Sequence, residues 1–88
     1  MGIKKGVVVE KMGESFVAYD NETSTLHELN ELAYIILSDL EKGRGKASSI
    51  RKIISQFQVE EKRARKDYDY FLTELKKKDL IVLKKRLK

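Results

Sequence analysis

One histidine, His27, and no cysteine leave this 88-residue chain few groups that perform chemistry. Without thiols it has no disulfide, no thiolate zinc site and no cysteine nucleophile. Serine catalysis would have to recruit His27, and no serine sits in a nucleophile elbow. A metal at His27 would find only Glu28 beside it. Asp67 and Asp69 lie two apart in a helical stretch, so they diverge and cannot share a proton. Gly43-Arg44-Gly45-Lys46 lacks the spacing of a phosphate-binding loop and follows a helical pattern instead of a strand. Arg63, Asp67, Tyr70 and Glu74, separated by 4, 3 and 4 residues, share one helix face, which by spacing alone is equally an ordinary solvated face with intrahelical pairs. No catalytic residue, metal site or cofactor is assigned, and the chain is read as a non-enzyme that binds something.

Charge and composition narrow the setting. Lys and Arg number 19 against 14 Asp and Glu, a net charge of +5, with 41% hydrophobic and 38% charged residues. That apolar share supports a folded core and argues against disorder. The charge rises along the chain, from −2 over residues 1–30 to +2 over 31–59 and +5 over 60–88. The basic end reads first as solvated helix end, where cations suit the helix dipole. No apolar run approaches the roughly 18 residues of a membrane span, and no secretory segment is recognised. The expectation is a cytoplasmic protein with no membrane association, a single domain over residues 1–88 with a basic tail at 84–88.

The elements that must position these groups follow from periodicity. Val7–Met12 is β-rich and stops at Gly13; Ser15–Tyr19 is a second strand-like run. Asp20-Asn21-Glu22-Thr23 favours a turn through local hydrogen bonds, and Ser24–Leu29 reads as a short third strand. Asn30 is a good N-cap for a helix carrying Leu32, Ala33, Ile35, Ile36, Leu37 and Leu40 and ending at Gly43. Ser48 or Ser49 is expected to cap a second helix with Ile50, Ile53, Ile54 and Phe57 inward. A third helix starts near Glu60, its apolar stripe Ala64, Tyr68, Phe71, Leu72 and Leu75. Asp79–Leu83 is expected to pack as an extended tail. The fold class is α+β: a three-stranded antiparallel N-terminal meander followed by three helices, with helices two and three in a loose helix-turn-helix, winged-helix-like arrangement.

Leu26-His27-Glu28-Leu29-Asn30 ahead of an apolar helix, Ile50 and Ile54, then Asp67, Phe71-Leu72, Leu75 and Leu80-Ile81, together resemble the PqqD-like family. The resemblance covers about residues 7 to 83. The family comprises precursor-peptide recognition elements of ribosomally made, modified peptides. It implies the fold already derived, and an adaptor that binds the leader segment of a precursor peptide and presents it to a modifying enzyme. Where that enzyme is of the radical S-adenosylmethionine type, its cofactors belong to the partner, because a chain without cysteine cannot hold an iron–sulfur cluster in the usual way. Two departures stand out: family members commonly carry glycine in the turn before strand three and just before the final Leu-Ile, where this chain has Thr23-Ser24 and Asp79.

The resemblance also implies a site. The leader would add a strand to the edge formed by Ser24, Thr25, Leu26, His27 and Glu28, and would lie beside helix three. Strand pairing alone roughly breaks even, since ordering each peptide residue costs about 1–2 kcal/mol and each hydrogen bond returns a net of about 0.5–1.5 kcal/mol. Micromolar binding needs about −8 kcal/mol, so side chains must anchor in a groove. Tyr70 is the expected anchor, with Asp67 and Glu74 receiving cationic groups and Arg63 an acidic one. The opposite flank, with Arg65 and Asp69, stays open by helical geometry, as does the direction of His27.

Two other readings use the same residues differently. The cations of Lys62-Arg63-Ala64-Arg65-Lys66 could open the recognition helix of a winged-helix DNA-binding protein. Against it, the strands precede the helices, and Asp67, Asp69 and Glu74 would meet phosphates unfavourably, so nucleic acid is not the expected partner. The strand edge could also pair with a second copy, giving a homodimer that competes with the peptide.

Overall fold

The computed structural model describes residues 2–82. Leu83 and the basic tail 84–88 lie outside the described residues. The chain runs β1 (Gly2–Ile3), β2 (Val7–Met12), β3 (Ser15–Asp20), β4 (Thr25–Leu29), α1 (Glu31–Glu41), α2 (Lys46–Phe57), α3 (Glu61–Lys77) and β5 (Ile81–Val82). The meander expected from the sequence is β2-β3-β4, hydrogen-bonded in that order and antiparallel throughout. Three helices follow it.

Local chemistry explains the turns. Gly13, with φ +64, opens the two-residue connection between Met12 and its partner Ser15, the position where such hairpins place glycine. Asp20 closes the next turn by accepting from the backbone N–H groups of Glu22 and Thr23 at 2.9 and 3.4 Å. Ser24 then takes a left-handed φ of 57, and Asp79 one of 61. These are the two turns where the family resemblance leads one to expect glycine, and a left-handed φ costs an L-residue about 1–2 kcal/mol that glycine avoids. Asp79 sits just past the C-cap of α3. Its own N–H reaches the Lys76 carbonyl at 3.0 Å, and the Leu80 N–H reaches Leu75 at 3.1 Å. That paired closure, with Leu80 packed into the core like Leu75, is a Schellman motif built on aspartate.

The helices start largely as expected. The Asn30 side chain accepts from the Ala33 N–H at 2.8 Å and caps α1. α2 differs: it begins at Lys46 behind Gly45, and neither serine caps it. Instead Ser48 and Ser49 donate to Asp39 near the end of α1, at 3.3 and 2.8 Å. Lys52 joins at 2.6 Å and Arg44 at 3.6 Å. Burial pushes the Asp39 carboxyl up, but the hydrogen bonds and charge of Lys52 and the bond from Ser49 outweigh it, leaving its pKa below the usual 3.8. Phe57 also departs from expectation. It is exposed at the last position of α2, where Gln58 turns left-handed and carries the chain away.

Ile36, Leu37, Ile53, Leu75 and Leu80 are the fully enclosed centre of the core, joined by Ala18, Leu29, Ala64 and Tyr68. Ile81, expected in an extended tail, pairs with Ile3, so β5 and β1 form a separate two-stranded ribbon joining the two ends of the described chain. Lys4 follows β1 and donates to Asp20 at 2.9 Å, with Asp79 at 3.4 Å and Glu22 at 3.5 Å. The hydrogen bond to Asp20 is the main reason the Lys4 pKa is raised and that of Asp20 lowered.

Candidate functional site

In the sheet order β2-β3-β4, β3 is the only strand partner of β4 among the described residues, so among them its other edge is open. An open edge presents backbone N–H and C=O groups that an extended chain can satisfy. The register pairs Asp20 with Thr25, Tyr19 with Leu26, Ala18 with His27, Val17 with Glu28 and Phe16 with Leu29. Because side chains alternate, this register decides the direction of His27. It lies on the helix side of the sheet with buried Ala18 and Leu29, while Leu26 and Glu28 occupy the outer side. Thr25 begins the strand, its hydroxyl bonded to that of Thr23 at 2.9 Å, and Ser24 is the left-handed residue just before it.

Where β4 ends, a cavity of about 220 Å³ opens between that strand, the start of α1 and the second half of α3. Leu29, Ala33, Phe71 and Leu75 supply its apolar lining, and Glu28, Asn30, Tyr70, Glu74 and Lys78 its polar or amphipathic part. Tyr70 is 60% exposed yet fixed edge-on against Phe71, with ring centroids 4.9 Å apart. A half-wet aromatic braced in this way is a stiff anchor at low entropic cost. Glu74 lies 3.8 Å from Lys77 on its own helix, a weak exposed pairing that a ligand cation can replace.

Glu28, Tyr70 and Glu74 are therefore brought together around one cavity. Arg63 and Asp67 lie nearer the start of α3 and do not line it; they bond to each other, Nε to Oδ2 at 3.1 Å. Arg65 pairs with Glu61 at 2.8 Å, so two of the four cations opening α3 are held by carboxylates of their own helix. The opposite flank of α3 contributes Tyr68, Asp69 and Leu72 to a larger cavity of about 500 Å³ against the α1–α2 loop. No residue of β4 lines that cavity, and Asp69 there is paired with Lys46 at 3.4 Å. Sequence reasoning missed Leu29, Asn30, Ala33, Phe71, Leu75 and Lys78 as lining residues. Four of them already had structural explanations as cap, core stripe or helix interior, and only the aromatic pair Tyr70-Phe71 carried a usable signal.

The described chain is thus a three-stranded meander closed by three helices, with an open strand edge beside a small cavity of mixed apolar and polar lining. The family model "Coenzyme PQQ synthesis protein D (PqqD)" matches residues 15–81, and the chain belongs to that family. Among solved structures, the fold is similar to that described as "TbiB1 in Complex with the TbiA(beta) Leader Peptide", with 24% identity, a TM-score of 0.81, and 98% of this chain and 100% of that one covered. It is also similar to "Lasso peptide synthetase B1 complexed with the leader peptide", at 22% identity and a TM-score of 0.77, covering 92% and 95% of the two chains. No curated protein matches this sequence. Among the described residues, no helix is long and apolar enough to cross a membrane.

Proposed function

We propose that residues 1–88 act as one non-catalytic recognition domain, which binds the leader segment of a ribosomal precursor peptide and presents it to a modifying enzyme in the cytoplasm. The observation that carries this reading is the open edge of β4 leading into the cavity lined by Leu29, Phe71 and Tyr70. Family membership supports it, and so do two similar folds described as leader-peptide complexes. The leader adds as a strand along Ser24–Glu28, its backbone bonded to the edge and one apolar side chain seated against Tyr70. Glu74 and Glu28 take a cationic group of the leader. Asp67 and Arg63 exchange their mutual pair for leader charges farther along the helix. The partner enzyme carries the chemistry and its cofactors, the iron–sulfur cluster included where it is a radical S-adenosylmethionine enzyme. Self-pairing through the same edge competes with the leader.

Calorimetric titration with synthetic leader peptides from small reading frames beside this gene tests the proposal, at low and at high salt. The expected result is micromolar binding that survives salt and weakens about tenfold or more in Tyr70→Ala. Absence of leader binding, together with salt-sensitive binding to duplex DNA, overturns it.

A further inference from the structure

The face of the sheet turned away from the helices has no covering element among the described residues, and it is not a neutral surface. Residues of β2, β3 and β4 that alternate onto it form two rows across the strands, Val8–Tyr19–Leu26 and Glu10–Val17–Glu28, with Met12 at the end. Val8 is 43% exposed, Met12 58% and Leu26 61%, so three of the most exposed large apolar side chains share one face. Between them a shallow depression of about 480 Å³ is lined by Met12, Val17, Leu26 and Glu28. The usual solution for a solvated antiparallel face is polar side chains, and this face departs from it.

Its charge is equally one-sided. Glu10 and Glu28 flank Val17 in the same row, and neither meets a cation among the described residues. The one cation of the three strands, Lys11, alternates onto the helix side, where it lies 5.8 Å over the Phe16 ring. A protein of net charge +5 thus keeps one apolar face whose only strand charges are negative. A second copy packed face to face would bring four carboxylates and no strand cation into one interface, which disfavours self-association there. A leader strand bonded to the β4 edge engages backbone groups in the plane of the sheet and reaches the face only at its border, at Glu28, leaving Val8, Glu10, Met12 and Val17 open.

We infer that this outer face is the docking surface for the modifying enzyme, which meets it with apolar side chains bordered by Lys or Arg. The inference rests on the leader-adaptor reading. It assigns the adaptor two adjoining surfaces with Glu28 on their border: the edge and cavity for the leader, and the outer face centred on β2 and β3 for the enzyme. The face is continuous with the leader edge through Leu26 and Glu28, so the enzyme docks beside the bound peptide.

The test uses the full chain, its leader peptide and the purified modifying enzyme encoded beside it. Val8→Lys combined with Met12→Lys changes only β2, two strands away from the leader edge. The expected outcome is unchanged leader binding by calorimetry and at least about tenfold weaker enzyme binding on a biosensor surface. Glu10→Lys, which keeps every apolar side chain, is expected to weaken enzyme binding as well, and wild-type binding is expected to fall as salt rises. If leader binding persists while both variants hold the enzyme as tightly as wild type, or if the wild type does not bind it, the docking inference is overturned and the adaptor reading stands. Conversion of a wild-type dimer to monomer by Val8→Lys with Met12→Lys overturns it in favour of a second copy. Failure of the wild type to bind leader overturns the adaptor reading itself.

Discussion

Ser24 and Asp79 hold left-handed backbone, the conformation glycine adopts without strain, at the turns before β4 and after α3. Ser24 makes no side-chain hydrogen bond among the described residues, so its hydroxyl returns nothing for the strained φ. Replacing Ser24 with Gly is expected to stabilise the protein by about 0.5–1 kcal/mol, the relief of the left-handed cost less the added entropy of glycine in the unfolded chain. Urea unfolding checks this: the midpoint should rise with m unchanged, and a lower midpoint would refute it. Asp79 is a different case, because its carboxylate also lies 3.4 Å from Lys4 and glycine would remove that pairing. The sequence marked both positions as departures, but their backbone conformation emerged only with the turns themselves. Tyr70 shows the same division. Its size and spacing singled it out, while its contact with Phe71 and its place on the rim of the cavity depend on how α3 lies against β4 and α1.

At the level of elements, the union of α1 and α2 depends on one buried carboxylate. Asp39 stands in an apolar helix, and its charge is compensated by two serines, a lysine and an arginine, all within the next thirteen residues. Asp39→Ala leaves the Ser49 hydroxyl, only 2% exposed, without its acceptor, and is expected to cost about 1–3 kcal/mol in chemical unfolding. Asp39→Asn retains an acceptor oxygen and should cost less; equal losses would show that charge, not hydrogen bonding, dominates. The expected serine cap of α2 failed for this reason. A serine near a helix start satisfies any nearby acceptor, and here the neighbouring helix supplied a stronger one than the local backbone. By contrast, Asn30 had no such competitor and caps α1 as its sequence position indicates.

For the whole molecule, the acidic groups set the pH response. Asp20 and Asp39 both have pKa values lowered from the ordinary 3.8, so their contribution to stability is complete above that value and is lost as pH falls through the lowered folded values. Lys4 is raised from 10.5, so its contribution holds below that pH and is lost only as pH climbs through a still higher value. Stability should therefore be flat with respect to these groups between about pH 5 and 9 and decline below about pH 4. Thermal unfolding of the wild type and Asp20→Asn across the acid range checks this, with a shallower acid decline expected in the variant. An identical decline would place the acid sensitivity elsewhere. Lys4 and Asp20 are 16 positions apart and meet where β2 pairs β3, whereas Lys4 and Asp79 are 75 apart and meet where the β1–β5 ribbon joins the ends of the described chain.

The sequence by itself determined the order of the three main strands and three helices, the cap at Asn30, the apolar stripe of α3 and the family. Each of these is encoded locally, in alternation, helical period or a short run of residues. The tertiary structure alone decided the β1–β5 ribbon, whose two-residue strands carry no periodic signal and depend on a partner at the other end of the chain. It alone decided which side of the sheet receives His27, because one step of register exchanges the two faces. It also decided which flank of α3 lies beside the end of β4, since helical spacing groups residues on a face but does not orient that face toward a neighbour.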